Sequence, residues 1–247
     1  MTVLDIKTEV NNLEKIILPF INEYFEKYDL SKLYLWEKFK LNTKLFTNDE
    51  IQLLNNLKSL EKNVELKHII NKKFKNNSDN NDLHIWIIKT WGGIRSFKKY
   101  KDINIFLKSL ENKKIEFPDR ISSFSKIASF KYLNEFFIYD AHVSYALNWI
   151  LIKHGDFNIK YFPFKFGQNK SISEKFNLKT VLTLINKDIE YYNDEIFYFI
   201  YCELINSIFK NIKNNKIKEP FFIEMMLFSL LENIIKEIKE KVKISIK

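Results

Sequence analysis

The chain has 247 residues, of which 46% are hydrophobic and 16% aromatic, and its 40 lysines and arginines outnumber 31 aspartates and glutamates to give a formal charge of +9. That apolar content supports a buried core and excludes a disordered chain, while four glycines and four prolines are too few for the tight turns of a sandwich or barrel. The positive balance suits a polyanion such as nucleic acid, and the single cysteine, Cys202, excludes internal disulfides, a four-thiolate zinc site and an all-cysteine iron–sulfur cluster.

In chain order, Val10, Leu13, Ile16, Ile17, Phe20, Ile21 and Tyr24 recur at helical spacing and predict a helix over the first forty residues, bent or restarted at Pro19. Thr47 with Glu50 forms a capping-box pattern ahead of Ile51, Leu54, Leu57 and Leu60. The Asn/Asp/Ser stretch from Lys75 to Asp82 reads as a loop, and a possible boundary between sub-lobes 1–80 and 81–247 of one 247-residue domain. A stripe through Leu83, Trp86, Ile87 and Trp91 stops at Gly92 and Gly93, and another runs from Phe97 to Leu110 before Phe117 and Pro118. A short helix is predicted from Ser122 to Phe130 and a longer one after Asp140, ending at Gly155. Residues 161–175 lack a helical period. Helices follow at 180–191 and 194–212, and a last one opens at Pro220. The expected fold class is mainly α, a compact multi-helix arrangement.

The stretch 121–151 carries the chemistry: a polar segment, a short helix, an apolar extended bridge, and an aspartate at the mouth of the next helix. Ser125-Lys126 followed by Ile138-Tyr139-Asp140-Ala141-His142-Val143 resembles the catalytic core of helix-hairpin-helix DNA glycosylases, above all the 8-oxoguanine DNA glycosylase branch. There the hairpin leads to a lysine in bifunctional members, and then to an aspartate at a helix start. The resemblance implies two helical lobes around a DNA-binding cleft, Asp140 and Lys126 as catalytic residues, and a partner of double-stranded DNA bearing a damaged or modified base. It implies excision in repair or in defence against modified phage DNA, with lyase activity if Lys126 forms a Schiff base. Ser122-Ser123-Phe124-Ser125 stands where the family carries a glycine-rich hairpin, and Lys126 precedes Asp140 by fourteen residues, a shorter interval than the family's.

Each residue also has a plainer reading. Asp140 before an amphipathic helix is a natural cap, and Lys126 a solvated lysine. Ser122, Ser123, Ser125 and His142 are candidates for DNA phosphate, or ordinary helix positions. Gly92, Gly93 and Arg95 offer N–H groups and a cation to DNA, or a simple C-cap. Trp91, Phe162, Phe164, Gln168 and Asn169 are candidates for the base pocket; loop aromatics that anchor a core are equally common. No metal or other cofactor is implied, nor an obligate protein partner. The N-terminus shows no basic-then-apolar leader and no membrane-length apolar run occurs, so a cytoplasmic protein is expected. A catalytically inactive helical nucleic-acid-binding module is the alternative, and a partner-binding helical scaffold a third.

Overall fold

The computed structural model describes residues 3–37, 39–155, 159–165, 177–185 and 189–241. The described chain is mainly helical, and its buried hydrophobics form a cluster that runs from Val10 to Ile238. Helix α1 (Val3–Lys27) carries Pro19 without interruption, although a break was expected there. Pro19 forfeits one backbone hydrogen bond, but Ile17 and Ile21 on either side are fully buried where α1 packs on later helices. The single turn α2 (Leu30–Leu33) is capped by Asp29. Thr47 and Glu50 form the expected capping box on α3 (Asn48–Asn56), and the chain breaks again before α4 (Ser59–Asn76).

Asn80 caps α5 (Asn81–Trp86), which widens into a π-helical turn, Ile87–Trp91, and ends at Gly92. Gly93 follows with φ of 71°, a left-handed conformation in which a side chain would be strained. Helix α6 (Lys101–Glu111) is followed by a reversal in which Lys113 and Phe117 take positive φ. A 3-10 turn, Pro118–Arg120, leads directly into α7 (Ile121–Lys131). Ser122, Ser123 and Ser125 therefore lie inside a helix and not in a hairpin turn. Without glycines at that point, the chain reverses upstream, between α6 and α7.

Residues 136–139 form the expected extended bridge into α8 (Ala141–His154), which Asp140 caps and Gly155 ends. Tyr198 donates to the Phe137 carbonyl (2.9 Å), Tyr201 to that of Ile138 (2.8 Å), and the Tyr139 N–H donates to Ser125 (3.0 Å). Buried side chains thus satisfy the backbone groups that a sheet would otherwise pair. Helix α9 (Leu178–Ile185) is shorter than expected at its C-terminal end: Tyr191 is extended and bridges Tyr161. After α10 (Phe197–Asn211), the predicted last helix is two, α11 (Phe221–Ser229) and α12 (Leu231–Lys241). Helix α1 packs on α8 and α10, α7 on α4 and the π-helical turn, and α11 on α8 and α2. No helix among the described residues is long and apolar enough to cross a membrane.

Candidate active site

These packings leave a cavity of about 500 Å³ where the segment after α2, the end of the π-helical turn, α7, the 136–139 bridge, the start of α8 and α11 converge. Aromatic side chains form much of its wall. Trp36 donates from Nε1 to the Trp91 carbonyl (3.1 Å), Trp91 donates to Asn63 Oδ1 (2.8 Å), and the two indoles meet edge to face. Phe228 packs edge-on against Trp36 and stacks on His142, with ring centroids 4.5 Å apart. Tyr34 completes this wall, whereas Leu35 between it and Trp36 points to solvent, 73% exposed.

Lys126 and Asp140 meet in the cavity. Lys126 Nζ lies 3.2 Å from Asp140 Oδ2 and donates to the Ser122 carbonyl at 3.0 Å, with side chains 8% and 17% exposed for Lys126 and Asp140. The other carboxylate oxygen accepts from the His142 and Val143 N–H groups at 3.0 and 3.3 Å. Asp140 is therefore both a helix cap and half of a buried ion pair. Burial pushes its carboxyl up, but Lys126, His142 and the Val143 N–H outweigh that and hold it below the ordinary range. Burial likewise lowers His142, against the pull of Asp140, so the imidazole is neutral at pH 7; its Nδ1 has no hydrogen-bond partner among the described residues.

A second buried pair borders the same space. Glu224 of α11 lines the cavity, and its Oε2 accepts from the Ile138 N–H at 3.1 Å and from Lys67 of α4 at 3.5 Å. Burial pushes Glu224 up and Lys67 down, so both tend toward their neutral forms. Lys67 also reaches Ser129 Oγ at 3.3 Å and lies over the rings of Phe130 and Phe221.

Of the residues singled out in the sequence, Lys126, Asp140, His142, Ser122, Trp91, Gly92 and Gly93 line this one cavity. Arg95 is exposed two residues beyond Gly93, and Lys98 and Lys99 are exposed near it in sequence. Ser123 is half-buried on α7. Ser125 is fully buried and its hydroxyl is taken by the Tyr139 N–H, which leaves it a part in holding the bridge and none in touching DNA. Phe162 is fully buried in the core against Tyr139 and Tyr192, and Phe164 borders a different groove beside Tyr191. Neither belongs to the cavity wall. Gln168 and Asn169 lie outside the described residues. Tyr34, Trp36, Glu224 and Phe228 were not anticipated. Among the described residues no three His, Cys, Asp or Glu side chains gather as a metal site. Compared with protein-family models, curated proteins and solved structures, the chain matches none of them.

Proposed function

We propose that this chain is a DNA glycosylase that takes an extruded damaged or modified nucleotide into the aromatic cavity and cleaves its N-glycosidic bond. The observation that carries the reading is the Lys126–Asp140 pair, held at 3.2 Å inside a pocket walled by Trp36, Trp91, His142 and Phe228. Flat aromatic faces stack on any base, and a cavity of this volume holds one. In the reaction, the Lys126 ammonium first gives one proton to solvent, and its nitrogen lone pair then forms a bond to C1′ of the sugar as the C1′–N bond breaks and its electron pair leaves with the base. Asp140, kept anionic, stabilises positive charge on the sugar, and solvent takes the proton that the new C–N bond leaves on the Lys126 nitrogen. A Schiff base and strand cleavage follow.

Tyr34 and Trp36 from residues 1–80 and the Lys126–Asp140 pair from residues 81–247 both line the cavity, which supports reading it as a DNA-binding cleft. Arg95, Lys98 and Lys99, all exposed, follow the cavity-lining glycines in sequence and are the phosphate contacts in this reading. The helical serine segment at the hairpin position favours a non-standard substrate, in repair or in defence against phage DNA.

The test is a panel of duplexes carrying 8-oxoguanine, uracil, alkylated purines or hypermodified phage cytosines, with borohydride to trap a Schiff base. Abasic product from at least one duplex is expected, with Asp140→Asn about 100-fold or more slower and its DNA affinity retained. Binding to every duplex without product from any would leave a nucleic-acid-binding module. An affinity for DNA that does not weaken as salt rises would leave neither.

A further inference from the structure

Two carboxylates border the proposed reaction cavity, and they sit in opposite surroundings. Asp140 stands at the start of α8, with two backbone N–H groups and the Lys126 ammonium on it. Glu224 enters from α11, 3% exposed, amid an apolar helix of Phe, Ile, Met and Leu. One of its oxygens is held by the Ile138 N–H and Lys67; the other makes no hydrogen bond among the described residues. The Lys67–Glu224 couple is nearly sealed from solvent except through the cavity.

We propose that Glu224 is the general acid of this site: with Lys67 it holds one proton, which it delivers to the departing base while Asp140 remains charged beside the sugar. This rests on the glycosylase reading. In that step the C1′–N bond breaks with its electron pair on the base, the Lys126 nitrogen, which has given one proton to solvent, bonds to C1′, and the Glu224 proton passes to the base. Solvent entering after base release restores the proton. Two carboxyls whose environments push their proton affinities apart divide into acid and anion, and here burial raises Glu224 while cations and N–H groups hold Asp140 down.

The charged and titratable groups facing Glu224 fit that division. Lys67 of α4 is its direct partner, Asp140 repels its ionised form, and Tyr34, Tyr198, Tyr201 and Cys202 are all themselves raised by burial, so they carry no charge at neutral pH. Lys126 opposes the charging of Lys67 and Glu219 favours it.

Glu224→Gln keeps an oxygen for the Ile138 N–H and loses the transferable proton. On whichever panel duplex the wild-type protein processes, single-turnover base release is expected to slow about 100-fold or more. Borohydride trapping of Lys126 on a duplex with a preformed abasic site, which has no base to expel, stays within about twofold of wild type on the same reasoning. The alkaline fall in the wild-type rate, where the acid has lost its proton, disappears in the variant. Unchanged base release, or equal loss of release and trapping, overturns the assignment and leaves the glycosylase reading standing. A wild-type protein that neither traps an abasic site nor releases any base refutes that reading itself. If Glu224→Gln does not fold, Lys67→Met replaces it: the alkaline fall moves in pH if the couple carries the proton, and stays in place if it does not.

Discussion

Replacing Lys126 by methionine removes the ammonium while keeping the methylene packing against Gly92. Asp140 Oδ2 then has no cation, but Oδ1 keeps the His142 and Val143 N–H groups at 3.0 and 3.3 Å. Breaking a buried pair from one side costs about 3–5 kcal/mol. The retained N–H groups and the 17% exposure of the carboxylate reduce the expected loss to about 2 kcal/mol. Asp140→Asn leaves the ammonium with the Ser122 carbonyl alone, at a similar loss of about 2 kcal/mol. The double variant contains neither charge and should lose about 2 kcal/mol in total, a coupling of about 2 kcal/mol between the positions. Urea unfolding followed by circular dichroism at pH 7 measures all four corners of the cycle. Losses that add to within about 0.5 kcal/mol would show that Asp140 is a cap indifferent to Lys126, and would remove the basis for a shared reaction site. The pH dependence gives a second check. Asp140 has a depressed carboxyl in the folded state, so its stabilisation is present above the unfolded value near about 4 and is lost as pH falls through the folded one. The gap between wild type and Lys126→Met should hold from pH 7 to 5 and close below about pH 4.

Two further outcomes follow from single positions. A Cβ on Gly92 would lie 2.8 Å from Lys126 Cδ and 2.9 Å from the Ile87 and Ile88 carbonyls. Gly92→Ala should therefore push the lysine stem off its course, reduce borohydride trapping on abasic DNA more than about tenfold, and destabilise by about 1–3 kcal/mol in thermal unfolding. Undiminished trapping would mean that Lys126 reaches the sugar by another path. His84 is fully buried with neither ring nitrogen bonded among the described residues, and burial lowers its pKa to about 4. The unfolded histidine charges below about 6.5 and the folded one does not, so protons favour the unfolded chain. Stability should fall by about 3 kcal/mol between pH 6.5 and 4 on this account, and His84→Leu should flatten that part of the profile. An unchanged slope would refute it.

Much of the Lys126–Asp140 pair was legible because its signals are local. Lys126 and Asp140 are fourteen residues apart, and an aspartate ahead of Val143, Leu147 and Ile150 marks a helix start whatever else it does. The cavity wall was not legible, since Trp36, Trp91 and Phe228 come from three distant segments and only packing joins them. Glu224 did leave a trace: it interrupts the run Phe221-Phe222-Ile223-Glu224-Met225-Met226-Leu227, where a carboxylate cannot face away from the core. Phe162 and Phe164, candidates for the base pocket from the sequence, lie away from the cavity. Packing rather than spacing decides these positions: Phe162 enters the core and Phe164 borders another groove, although residues two apart share a face in a regular extended chain. Pro19 misled for a similar reason, because a helix with both flanking faces buried outweighs one lost hydrogen bond.

The placement of charge separates a site from a scaffold more sharply than its amount. Every other ion pair of the described residues has both side chains at least 23% exposed, where such pairs stabilise by about 1 kcal/mol or less. Lys126–Asp140 and Lys67–Glu224 are the two that are withdrawn from water, and each contributes to the lining of the same cavity. Apolar side chains of similar volume in place of a buried pair often leave stability unchanged or raise it by about 1–4 kcal/mol. Phe130 and Phe221 already surround Lys67 with the apolar contacts such a replacement would extend. A chain that needed only to pack its helices gains nothing from two such pairs. In the proposed reaction one of these carboxylates is kept ionised and the other protonated, and each buried pair serves one of those two states.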